Sequence, residues 1–214
     1  MVAPTSKLDP KAATAGRLRF SVFSRQWLVF ATHIMMVLAS VALASAAEVN
    51  SGQIIVTKAT GVIHVTFPDA DPRLAVTGMV LVAGTILNTE KGASIEIKWA
   101  DGALTTLHER SRLEIAAPKE PAGGWIARLM RGTLLLISGG SSREPEFETP
   151  HAFGGTRGTE YQLIAETNRT VIRVREGEAI IGSRTGAGTT NITGGLAATV
   201  EAGGRTGVFA LVAA

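Results

Sequence analysis

The chain has 214 residues, 45% of them apolar, with 24 Gly, 8 Pro, no Cys and a formal net charge of +3. That length holds one domain plus a tail, or two small domains, and can bury a proper core. The missing Cys excludes a disulfide scaffold, Cys-ligated metal or Fe–S sites and a thiol nucleophile, and charged residues at 18% are too few for a disordered chain.

The charge is concentrated at the start. Lys7, Lys11, Arg17, Arg19 and Arg25 face a single acid, Asp9, before an apolar run from Trp27 to Ala44 that carries no formal charge. The run ends in Ala44-Ser-Ala-Ala47, ahead of Glu48. A basic start, an apolar helix and small residues at the cut site predict a signal peptide over residues 1–46, cleaved after Ala46 or Ala47. The competing reading retains residues 27–44 as a membrane anchor; the positive flank gives the same orientation and exports the C-terminal part either way. His33 is then a polar residue tolerated inside the run. Residues 48–214 keep 16 basic and 17 acidic side chains, a net of −1, with no basic stripe or interleaved aromatics. That argues against nucleic acid as a partner. The expected location is the periplasm or the exterior after cleavage, or the inner membrane with the domain in the periplasm. Membrane contact is expected only if the 27–44 segment stays.

Beyond Glu48 the pattern is period two. Ile63, Val65 and Phe67 share one strand face. In Ser94-Ile-Glu-Ile-Lys-Trp99 the apolar Ile95, Ile97 and Trp99 alternate with polar neighbours. Gly84, Gly92, Gly102 and Ser111 punctuate these runs at intervals of eight to ten residues, as tight turns between strands of four to six residues do. Ala100-Asp-Gly102 reads as a hairpin turn. Arg112-Leu-Glu-Ile115 continues the alternation, Gly124 to Arg131 reads as a short helix, and Gly132 to Ile137 reads as a buried strand. Gly139 to Pro145 is a polar loop. Thr170 to Arg175 is a strand with Ile172 and Val174 inward and Arg173 and Arg175 outward. Glu176-Gly-Glu178 reads as a turn before Ala179-Ile-Ile181, Gly186 to Gly195 as a low-complexity link between strands, and Val200 to Phe209 as a closing hairpin. The fold class is all-β: a single domain of many short strands, arranged as a sandwich, a roll or a short β-solenoid.

Glu148-Thr-Pro-His-Ala-Phe-Gly-Gly-Thr-Arg-Gly-Thr-Glu-Tyr161 resembles the signature of the FecR domain. The flanking pieces follow in the family's order: Gly84 to Thr89, Ile95 to Gly102, Ser111 to Ile115, Arg128 to Leu134, Val174 to Glu178 and Val200 to Gly203. The resemblance covers residues 60–205. It implies an envelope-located β-rich domain, often the exported half of a transmembrane regulator that controls a sigma factor. The 26 residues before the apolar run are short for a folded sigma-binding domain, and nothing follows Ala214 for a transporter-contacting module. The expectation is therefore the middle domain alone.

The densest polar motif is Thr156-Arg157-Gly-Thr159-Glu160. Structurally, glycines allow a tight path, and the Arg157 fork could lock onto carbonyls or onto Glu176 or Glu178. Functionally, Arg157 with the Thr156 and Thr159 hydroxyls and Glu160 could hold a carboxylate or phosphate. No phosphate loop is read here, because Lys-Ser/Thr is missing and a strand follows instead of a helix. His64, His108 and His151 show no metal-ligand spacing, Ser141 and Ser142 lack a nucleophile elbow, and Asp69/Asp71 and Glu146/Glu148 fall in stretches that read as solvated loops. Trp99 and Trp125 read as core residues or as a ligand-stacking platform. No catalytic residue, metal or cofactor is expected. The function read from the sequence is a non-enzymatic envelope protein with a binding, scaffolding or sensing role and an envelope protein as partner. The alternatives are a single-pass membrane signalling component and a secreted hydrolase with an unrecognised site.

Overall fold

Alternating apolar residues in extended runs need a partner for every backbone N–H and C=O, and the chain supplies them in one continuous hydrogen-bonded network. The structure, a computed structural model, describes residues 53–119, 124–140, 145–186 and 188–211. The signal-peptide and anchor segment, and Ser141 and Ser142, lie outside the described residues. The described residues belong to one unit, Asn50–Ala214. They form strands and no helix.

The early strands are short: β1 (Ile54–Thr60), β2 (Ile63–Thr66), β3 (Arg73–Leu74), β4 (Val80–Leu81), β5 (Ile86–Thr89), β6 (Ser94–Lys98), β7 (Leu104–Leu107) and β8 (Arg112–Ala116). Then come β9 (Ile126–Ile137), β10 (Glu146–Glu148), β11 (Ala152–Ala165) and β12 (Arg169–Ser183). Last are β13 (Thr189–Thr193), β14 (Leu196–Glu201) and β15 (Thr206–Ala210).

Three strands run to at least twice the expected length, at 12, 14 and 15 residues, and each serves two neighbourhoods. The first half of β9 pairs with β8 and, in parallel, with β10; its second half pairs with β7 and β11. The first half of β11 pairs with β10 and the end of β12, while its second half pairs with β9 and the start of β12. β12 is covered by β14 on its first half and by β13 on its second. The network therefore sorts into two layers. One runs β4-β1-β6-β7-β9-β11-β12-β14-β15 and the other β3-β2-β5-β8-β9-β10-β11-β12-β13. Inward residues of both merge in one apolar cluster. Phe147 of the second layer meets Tyr161 of the first with ring centroids 5.7 Å apart, tilted by 49°. Ile95, Ile97 and Trp99 are buried as the alternation predicts, and the Trp99 indole N–H donates to Thr105 Oγ1 at 2.7 Å. The Gly102 turn and the closing β14–β15 hairpin also form as expected.

Three local expectations are corrected. Residues 126–131 are strand, not helix, because β8 and β10 take up the backbone on both sides and this non-local pairing overrides the ambiguous apolar spacing. Glu176-Gly-Glu178 is not a turn but part of β12, at a bulge of β11 where Gly158 and Thr159 face the single Gly177; β12 carries its own extra residue next, at Arg175. The low-complexity link carries β13, whose Ile192 is buried against the core.

The bends depend on glycine. Gly132, at φ +95°, sits where β9 passes from one layer to the other, and a Cβ there would lie 2.1 Å from Ser111 Oγ and 2.6 Å from Ser111 Cα. Gly177, at φ +84°, faces the Gly158 carbonyl, with a Cβ position only 2.3 Å from that oxygen. Gly132→Ala or Gly177→Ala should therefore cost about 2–5 kcal/mol, combining left-handed backbone strain with overpacking. Gly207→Ala, with nothing within 4 Å of its Cβ position, should be near neutral. Denaturant unfolding of the three variants checks this order.

Candidate functional site

The residues singled out in the sequence lie on β11 at its bend, and they do not converge on a common space. Thr159 is buried, and its hydroxyl does structural work. Oγ1 accepts the Arg157 N–H at 3.1 Å and donates across the bulge to the Glu178 carbonyl at 2.7 Å, with the Arg157 carbonyl at 2.9 Å. It thus satisfies backbone groups that the shifted register would leave unpaired. Thr156 is half-buried. Glu160 makes an ion pair with Arg175 on the neighbouring strand. Arg157 is exposed, and although it sits opposite Glu178 in register, its guanidinium has no partner among the described residues. The fork does not lock a turn; Thr159 does.

The polar constellation that the sequence reading missed begins at Glu148, the first residue of the quoted signature. Its local sequence places it in a solvated loop. It lies in β10, and its side chain is only 5% exposed. Three cations reach the carboxylate: Lys119 Nζ at 2.6 Å, Arg128 Nε at 3.0 Å and Arg184 at 3.6 Å. Arg128 also donates to Glu114 Oε1 at 2.9 Å. Strand register explains the assembly. Glu114, Arg128 and Glu148 lie directly opposite one another on β8, β9 and β10, so a row of alternating charge crosses the second layer. The row continues into Phe153 on β11 and Gly182 on β12, where the Phe153 ring occupies the space a Cβ would take, 2.5 Å from Cζ. Lys119, Glu148, Phe153 and Arg184 line a shallow recess of about 300 Å³.

Burial pushes the Glu148 carboxyl up, but hydrogen bonds from Lys119 and Arg128 outweigh it and hold the group below the usual carboxylate range. Glu148 in turn raises Arg128, with burial opposing and Glu114 adding to the rise. A buried carboxylate with three cations is saturated and is not a general acid or base. Lys119 and Arg184, 65% and 44% exposed, turn their remaining donors to solvent beside the 41% exposed Phe153. Chemically this is a surface for an anionic, partly apolar group.

Nearby hydroxyls serve the fold. Thr149 Oγ1 accepts the Ala152 N–H at 2.8 Å and meets Thr170 Oγ1 at 2.7 Å, tying the Thr149-Pro-His-Ala152 turn to β12. His64, His108 and His151 stay apart, and among the described residues no group of three His, Asp or Glu could hold a metal. Trp99 is core, and Trp125 packs half-buried against the core cluster.

Residues 85–179 match the family described as FecR protein. No curated protein matches the chain in sequence. Two crystal structures of a "putative anti-sigma factor" from Parabacteroides distasonis ATCC 8503 are similar in fold. One has a TM-score of 0.50 at 13% identity, the other 0.49 at 14%, each over 58% of this chain and 59% of theirs. The shared feature is the fold, over little more than half of those chains.

Two stability predictions follow from this geometry. Arg157→Ala should change stability by less than about 0.5 kcal/mol, whereas Thr159→Val should cost about 1–3 kcal/mol by leaving buried backbone groups unpaired. Glu148 ionised favours the folded state above its unfolded pKa of about 4.3, and that contribution is lost as pH falls through the lower folded value. Urea titrations of the protein and of Glu148→Gln from pH 7 downward should show the variant losing less stability across this acid limb.

Proposed function

We propose that this chain, which carries a FecR domain over residues 85–179, is a signalling regulator of the cell envelope that acts by binding a protein partner and not by catalysis. The family match carries the reading. The described fold resemblance to a protein named as an anti-sigma factor supports it. The surface offered to the partner is the recess at Glu148, where Lys119 and Arg184 flank Phe153. Fixed cations beside an exposed aromatic ring suit an acidic segment with one apolar side chain. Glu148 keeps the cations in place and lies at the start of the signature motif, so signature and surface are one construction.

Export is part of the proposal. The basic start and apolar run from Trp27 to Ala44 would carry the domain across the inner membrane. The uncharged run also favours a second reading, in which the segment stays as a single-pass anchor and the domain senses from the periplasm. Intact mass of the protein recovered from envelope fractions separates the two: a start at Ala47 or Glu48 means release, and a retained first segment means anchoring. Full-length protein in the cytoplasm would overturn both.

The binding reading is tested by pull-down from envelope extract with the full chain and with Lys119→Glu/Arg184→Glu. The expected result is a discrete envelope protein whose capture falls at least about tenfold in the double variant, equivalent to about 1.4 kcal/mol. Equal capture by both proteins would remove the recess from the proposal.

A further inference from the structure

A sheet edge that ends in unpaired backbone groups invites another strand, and proteins blunt such edges with charges, proline, bulges or very short strands. Among the described residues, three of the four layer ends are blunted. β3 and β4 have two residues each. β13, Thr-Thr-Asn-Ile-Thr, turns its single apolar side chain into the core and leaves threonines and Asn191 outside. The fourth end, β15, is different. Its sequence Thr206-Gly-Val-Phe-Ala210 has no charge and no proline, and its register against β14 is unbroken. Val208 and Phe209 are 44% and 47% exposed.

Hydrogen bonding at both ends of the β14–β15 hairpin defines which groups are free. The Glu201 N–H donates to the Arg205 carbonyl and the Leu211 N–H to the Gly195 carbonyl, so odd-numbered residues of β15 face β14. Thr206, Val208 and Ala210 therefore turn their N–H and C=O outward, and no described residue meets them.

We propose that β15 is a homodimer interface, in which two copies of this chain pair β15 antiparallel to β15 about a two-fold axis at Val208. Self-complementarity carries the inference. With Val208 opposite Val208 of the second copy, Thr206 falls opposite Ala210, and about six backbone hydrogen bonds close between the outward groups. Phe209 falls opposite Gly207 in a non-hydrogen-bonded pair, the closer kind, once on each side of the axis. A Cβ at Gly207 would have nothing within 4 Å, so the space above it is open for a ring. The chain already sets a ring over a register-partner glycine internally, in a hydrogen-bonded pair, where Phe153 lies over Gly182. No like charges are brought together, since Arg205 is paired with its own Glu201 and comes opposite Leu211. The first layer would then run continuously through both copies.

Only residue 208 faces itself across this axis, and that makes the register testable. The purified full chain, followed by sedimentation from about 1 µM to about 1 mM, should pass from one to two copies. Val208→Lys alone and Val208→Glu alone should each weaken association at least about tenfold, because like charges meet at the axis. An equimolar mixture of the two should recover association. Val208→Pro, which removes an N–H unused in the single copy, should also stay monomeric with an unchanged β-sheet circular dichroism spectrum, so loss of pairing is separated from loss of fold. A wild-type chain that stays monomeric throughout, single variants that associate like wild type, or a mixture that does not recover would each overturn the proposal.

Discussion

The constraint on which this molecule depends is the passage of a single strand from one layer to the other without losing its hydrogen bonds. β9, β11 and β12 each do this. At the crossing the backbone turns through a positive-φ glycine, and groups that leave the ladder are picked up by a buried hydroxyl. At Gly132 that hydroxyl is Ser111, which accepts the Thr133 N–H at 3.0 Å, while the Ser111 N–H donates to Thr89 Oγ1. At Gly158 and Gly177 it is Thr159. Where β10 turns into β11 it is Thr149 against Thr170. Ser111, Thr149, Thr159 and Thr170 are nearly all inaccessible, as groups in this role must be. A larger residue at the glycines or an apolar one at the hydroxyls would break the same joint from opposite sides.

From those joints the proposed binding surface follows by register. Fixing the β9 bend at Gly132 sets Arg128 opposite both Glu114 and Glu148, and fixing the β11 bend sets Phe153 opposite Glu148. The charged row adds only modestly to stability, because burying the carboxylate offsets much, though not all, of what its cations return. Its effect is to hold Arg128 and Lys119 in one arrangement. The signature motif thus spans two tasks. Its first residue organises charge on the outer face, and its Arg157-Gly-Thr-Glu160 portion shapes the bend behind it.

The sequence made legible whatever rested on local alternation. Ile95, Ile97 and Trp99, or Ile172 and Val174, could only bury one face, and tight turns at Gly84, Gly92 and Gly102 needed only a glycine between such runs. The all-β class followed from these, and the FecR resemblance from the order of short motifs. What stayed hidden depended on partners far along the chain. Residues 126–131 look helical until β8 and β10 are placed on either side. Glu176-Gly-Glu178 looks like a turn because Gly177 takes positive φ opposite the β11 bulge as well. Glu148 looks solvated because its cations come from positions 119, 128 and 184, which no local spacing connects. The Thr159 role was hidden for the same reason: its acceptor is the Glu178 carbonyl, on another strand.

The family match ends at residue 179, inside β12, and the physics of that boundary is informative. β12 presents two halves, one to each layer, and both need a covering strand. β13 meets the second half with buried Ile192, and β14 meets the first with Ala197, Ala198 and Val200, all inaccessible. These strands are constrained by what they cover. β15 covers β14 on one side, and its outward backbone and exposed Val208 meet no partner among the described residues. The matched region therefore has its β12 edge completed by β13 and β14, as β1 and β2 complete its β6 and β5 edges, and the open edge passes to the strand after them.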